Sequence, residues 1–142
     1  MRKVWTFFYG SFMNPEVLAK ADVWPDEAQM ARLDGWDLKI APRATLIPAA
    51  GRSVFGVLAQ LTHPDIEKLY TRDWFGFGTY LPEAVLVADS AGRSLPALSY
   101  IAWETEGGTP GAEYLEKMVT IARHHGFPDW YINHIASFGS SV

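Results

Sequence analysis

The stretch Val54-Phe55-Gly56-Val57-Leu58-Ala59-Gln60-Leu61 constrains this chain more than any other. Its apolar side chains alternate over the whole run, and β-branched and aromatic residues suit a pleated, buried surface. A strand in the middle of a sheet is therefore expected, with Gly56 letting another part of the main chain approach closely. Its neighbours are also legible. Lys3-Val4-Trp5-Thr6-Phe7-Phe8-Tyr9 is aromatic and β-branched and breaks at Gly10-Ser11, as a buried strand running into a tight turn does. Residues 80–88 and 94–103 read as two more strands, joined through Asp89-Ser90-Ala91-Gly92 as a hairpin. From 28 to 40 the pattern alternates in part and is interrupted at Asp34-Gly35, which fits two strands or one bent one. Residues 41–53, with Pro42, Pro48 and Gly51, read as a loop carrying at most a short extended piece at 44–47.

Helices fill the gaps and the end. Asn14 followed by Pro15 and Glu16 is an N-cap, N1 and first-turn acid in order. Thr62 or His63 caps a second helix begun by Pro64, with Ile66, Leu69 and Tyr70 as its apolar stripe. Leu115, Met118, Val119 and Ala122 recur at helical spacing until Gly126 and Pro128 stop the helix, and a last one spans 129–138. Strands with short helices inserted, then helices gathered at the end, predict an α+β class with a mostly antiparallel or mixed sheet. At 142 residues, without repeats or linker-like tracts, the chain has room for one core, so a single domain over 1–142 is expected.

Composition narrows the chemistry. Twelve Lys and Arg against sixteen Asp and Glu leave a net charge of -4, which offers no cationic field for a phosphate backbone and speaks against nucleic acid. Zero cysteines exclude thiol chemistry and disulfides. No apolar run approaches the roughly 20 residues of a spanning helix, and residues 4–9 are too short for a signal peptide, so no membrane partner and a cytoplasmic location are expected. The histidines lack metal-ligand spacing, and none is placed to serve as base for a serine nucleophile.

Two places could carry a reaction. The turn Phe8-Tyr9-Gly10-Ser11-Phe12-Met13 lies between a strand end and a capped helix, where consecutive N–H groups point outward. It could hold a carboxylate or a developing oxyanion, and it also reads simply as a turn. Asp73, in Arg72-Asp73-Trp74-Phe75-Gly76-Phe77-Gly78, is either a proton-transfer group among aromatics or a surface partner of Arg72.

Tyr9-Gly10-Ser11, Val54-Phe55-Gly56-Val57, Leu69-Tyr70-Thr71-Arg72-Asp73 and Gly126-Phe127-Pro128-Asp129-Trp130-Tyr131 together resemble, nearly end to end, the gamma-glutamylcyclotransferase-like (AIG2-like) family. The resemblance implies a small mixed β-barrel flanked by helices with a site at the barrel mouth. It also implies a cofactor-free enzyme that cyclises the gamma-glutamyl group of a small-molecule amine or peptide to 5-oxoproline. Carried over by position, Tyr9, Gly10, Ser11, Phe12 and Met13 bind the gamma-glutamyl head group. Tyr100 and Tyr131 line the pocket, and Asp73 stands where the family has its catalytic glutamate. The family's L-D-x-x-E departs twice here, with Tyr70 for the first acid and the shorter Asp73 for the second. Three consequences are open: a pocket drawn in around Asp73, Glu83 acting in its stead, or a binding module for small metabolites without turnover.

Overall fold

The computed structural model describes residues 2–70, 80–103 and 107–139. The opening aromatic run forms β1 (Lys3–Phe8). It lies antiparallel to β3 (Ala44–Thr62) from Lys3 opposite Thr62 to Phe8 opposite Val57. On its other side β1 meets β5 (Ser94–Ala102) in parallel, Thr6 opposite Leu98. β2 (Asp26–Ile40) pairs with β3 and touches β4 (Tyr80–Ala88) at Arg32 and Ala88. β4 and β5 form the expected hairpin, Tyr80 opposite Ala102 through Ala88 opposite Ser94. The order β1-β3-β2-β4-β5 closes a barrel with one parallel pair, which is the mixed barrel the family resemblance implied.

The expected loop at 41–53 is instead part of β3. The chain turns at Ala41–Arg43, and Ala44 already pairs with Ile40, so the ladder with β2 supplies main-chain partners through the Pro48 region. The composition misleads because its breakers mark an irregularity inside a strand: the register jumps between Asp34–Ser53 and Trp36–Pro48. Gly35 and Gly51 sit at the jump with φ of 88° and 80°.

Gly56 shows why the barrel can close. A Cβ there would stand 2.3 Å from the Phe8 carbonyl oxygen and 2.7 Å from the Phe7 ring. β3 can therefore cross β1 this closely only with glycine at that point. Around it Phe7, Leu33, Leu38, Leu46, Leu58, Leu61 and Ile101 are among the fully buried side chains of one continuous cluster.

Among the described residues four α-helices pack on this barrel. α1 (Pro15–Lys20) is capped by Asn14, whose Oδ1 accepts the Glu16 N–H at 3.0 Å. α2 (His63–Tyr70) is capped by Thr62, whose hydroxyl accepts the Asp65 N–H at 3.3 Å. α3 (Ala112–His124) ends in a glycine cap: Phe127 N–H returns to the Ala122 carbonyl at 3.1 Å and Gly126 N–H to Arg123 at 3.0 Å, with Gly126 at φ 76°. That reversal lays α4 (Asp129–Ser137) against β3, where Tyr131 and Phe55 meet ring to ring at 5.4 Å.

Candidate functional site

β1 delivers the chain to one end of the barrel, and there Gly10 opens a single 3-10 turn, Ser11–Met13. Within the turn Met13 N–H bonds the Gly10 carbonyl at 3.0 Å and Asn14 N–H the Ser11 carbonyl at 3.1 Å. The Gly10 and Ser11 N–H groups donate to no partner among the described residues, as the first donors of a helical turn do not. Both residues line a cavity of about 440 Å³, measured out to solvent, whose other walls come from far along the chain: Arg43 and Ala44, Tyr70 at the end of α2, Tyr80 and Tyr100 on β4 and β5, and Tyr114 on α3.

Phenols dominate this space. Five of the six tyrosines, Tyr9, Tyr70, Tyr80, Tyr100 and Tyr114, line it. Tyr9 donates to the Tyr100 carbonyl at 2.6 Å and Tyr80 to the Ala44 carbonyl at 2.5 Å, while the Tyr114 oxygen accepts the Ala44 N–H at 3.2 Å. Tyr70 and Tyr100 stack at 3.7 Å with their planes 9° apart, and Phe12 stands edge-on to Tyr70 at 5.5 Å. Burial pushes every one of these phenols above the usual range, furthest for Tyr9 and Tyr70, where neighbouring phenols add to it. At neutral pH they are therefore hydrogen-bonding groups and not bases. Among the described residues the cavity wall has no carboxylate, and Arg43 is its cation.

Of the residues expected to bind, Tyr9, Gly10, Ser11, Phe12 and Tyr100 line this cavity together, although 91 positions separate Tyr9 from Tyr100. Met13 does not. Its buried side chain turns into a separate apolar pocket with Leu18, Val23, Trp24 and Val57, while its carbonyl accepts a hydrogen bond from His125 Nε2 at 3.0 Å. Tyr131 is also elsewhere, because the cap at Gly126 directs it inward. It is fully buried between Phe55, Phe127 and Trp130. Glu83 accepts the Trp103 indole N–H at 3.3 Å and is not part of the wall. Asp73 lies outside the described residues; the positions on either side of its segment, Tyr70 and Tyr80, both line the cavity.

Tyr70, Tyr80, Tyr114, Arg43 and Ala44 join the site without having been singled out as binding residues. Tyr70 reads in sequence as one step of a helical stripe and Tyr80 as the start of a strand. Nothing in the sequence sets these tyrosines apart, since aromatics, 14% of residues, are expected mostly in the core.

A model of the AIG2-like family matches residues 53–135. Among solved structures, one titled gamma-glutamyl cyclotransferase superposes with a TM-score of 0.79 at 22% identity, covering 96% of this chain and 88% of that one. An uncharacterized protein from Homo sapiens gives 0.81 at 21% identity over 96% and 88% of the two chains. A gamma-glutamyl cyclotransferase specific to glutathione, from yeast, gives 0.67 at 15% identity over 98% and 96%. At these identities the likeness is one of fold. A search of curated protein sequences finds no match.

Proposed function

Because the chain belongs to the AIG2-like family, we propose that it cyclises the gamma-glutamyl group of a small amine or peptide to 5-oxoproline and releases the amine. The observation that carries this reading is the pair of N–H groups at Gly10 and Ser11, without partners among the described residues, on two residues that line a cavity walled by neutral phenols. In such a reaction the substrate's α-amine attacks its own γ-carbonyl. The protein has to fold one flexible molecule into a reactive pose and steady the charge that appears on oxygen.

The roles follow the geometry. Gly10 and Ser11 hold the γ-carbonyl oxygen through their N–H groups, with the Ser11 hydroxyl as a further hydrogen-bonding group. Tyr9, Phe12 and Tyr100 shape the space around the chain, and Arg43 suits the substrate's α-carboxylate. Asp73 takes the proton from the α-ammonium and returns it to the leaving amine, since the phenols are too weakly acidic to do either. Its place in the segment between Tyr70 and Tyr80 supports the assignment. Met13 and Tyr131 then act from outside the cavity, by holding the loop and α4.

A second reading, a binder of small carboxylates or amines without turnover, is favoured by one observation: no carboxylate lines the cavity among the described residues. One experiment decides between them. The purified protein is incubated with a panel of gamma-glutamyl amines and peptides, and 5-oxoproline is followed by mass spectrometry. The enzymatic reading expects product, and a loss of about 100-fold or more in Asp73→Asn. Saturable binding without product would establish the second reading, and full turnover by Asp73→Asn would remove Asp73 from the mechanism.

A further inference from the structure

Tyr114 carries a hydrogen-bond donor that the fold leaves unused. It stands in the first turn of α3, and its oxygen accepts the Ala44 N–H at 3.2 Å. That bond occupies a lone pair and leaves the phenolic proton without an acceptor among the described residues. The same oxygen lies 4.0 Å from the point a Cβ on Gly10 would occupy, beside the turn whose Gly10 and Ser11 N–H groups are also uncommitted. All three residues line one cavity. Tyr80 differs in this respect, because its hydroxyl already donates to the Ala44 carbonyl. α3 also fixes the spacing, since His125 just beyond its far end holds the Met13 carbonyl at the end of the same turn.

From this convergence we infer that the Tyr114 hydroxyl is the third donor of an oxyanion pocket completed by the Gly10 and Ser11 N–H groups. The inference rests on the cyclotransferase reading. As the deprotonated α-nitrogen forms its bond to the γ-carbon, the carbonyl π pair moves onto oxygen. The proton shed by the α-ammonium resides on the general base. When the C=O re-forms, the bond to the departing nitrogen breaks and that nitrogen takes the proton from the base; the ring nitrogen then gives its second proton to the same base, which passes it to the released amine, so the products are 5-oxoproline and an ammonium. A fixed, protonated donor aimed at the oxygen matters most while the charge is there, so Tyr114 contributes to kcat more than to ground-state binding.

The test compares wild type with Tyr114→Phe on the gamma-glutamyl compound turned over fastest, alongside binding of a phosphinate that mimics the tetrahedral carbon. The expected result is a kcat lower by about 100-fold, a KM within about threefold, and a phosphinate affinity that falls with kcat. An unchanged kcat, or equal losses in substrate and phosphinate binding, would overturn the assignment and leave Tyr114 as a prop for Ala44. Should wild type form no 5-oxoproline at all, the cyclotransferase reading fails and this inference with it. Should the phenylalanine variant not fold, 3-fluorotyrosine at position 114 of the otherwise unaltered chain answers the question. Its fluorine resonance is expected to move on saturation with the phosphinate, and an unmoved resonance contradicts the proposal.

Discussion

Gly56 and Ser11 mark two kinds of constraint on a single side chain. At Gly56 any Cβ meets main chain at 2.3 Å, and main chain cannot rotate away as a side chain can. Gly56→Ala is expected to cost on the order of 3 kcal/mol, read as a lower denaturant midpoint with an unchanged slope. At Ser11 the half-exposed hydroxyl makes no hydrogen bond among the described residues, so it holds nothing in the fold together. Ser11→Ala is expected to leave stability within about 0.5 kcal/mol and to raise KM by up to about tenfold, the worth of one hydrogen bond to substrate. A variant that unfolds, or one that binds substrate as wild type does, would contradict that role. Both residues are legible in the sequence for the same reason: a glycine inside an alternating strand and a Gly-Ser pair after a buried one are local signals. Tyr114 is not, because periodicity shows which face of a helix a ring occupies and not which distant loop that face meets.

Among the elements, α3 does the most to connect scaffold and site. Its first turn presents Tyr114 to the cavity, and beyond its last turn His125 grips the Met13 carbonyl. The cap that ends it requires φ 76° at Gly126, a left-handed conformation that costs an alanine roughly 1 kcal/mol or more. Gly126→Ala is therefore expected to lower stability by about that amount and to reduce the proposed turnover as well, because the hydrogen bond from His125 to the Ser11–Met13 turn shifts with the cap. Stability loss with unaltered kcat would show that the loop holds its shape without α3. The cap was readable from Gly126 and Pro128 alone, whereas the first half of β3 was not. Pro48 and Gly51 carry the usual signature of a loop, and only pairing with β2 across the Gly35 irregularity makes residues 44–53 a strand. Tertiary hydrogen bonding overrides local preference there. The candidate acid escapes both levels: its position in the sequence is known, but its surroundings depend on residues outside those described.

For the molecule as a whole, the tyrosines set a pH limit. All six phenols, including the buried Tyr131, sit above their ordinary value in the folded state, with burial the leading cause at each. The folded chain thus keeps protons that the unfolded chain gives up above about pH 10. Stability is full below that pH and falls as pH rises toward the raised folded values. Alkaline unfolding seen by circular dichroism should coincide with the rise in phenolate absorbance, and independent titration near pH 10 with the fold intact would refute this. No helix among the described residues is long and apolar enough to cross a membrane. What the barrel is for turns on where nitrogen goes. The decisive measurement uses a gamma-glutamyl amine labelled with nitrogen-15 at the α-position and asks by mass spectrometry which product holds the label. Intramolecular cyclisation places it in the ring of 5-oxoproline, with one unlabelled amine released per ring formed. Labelled glutamate as the first product, or labelled substrate recovered intact from a complex it saturates, would contradict the account.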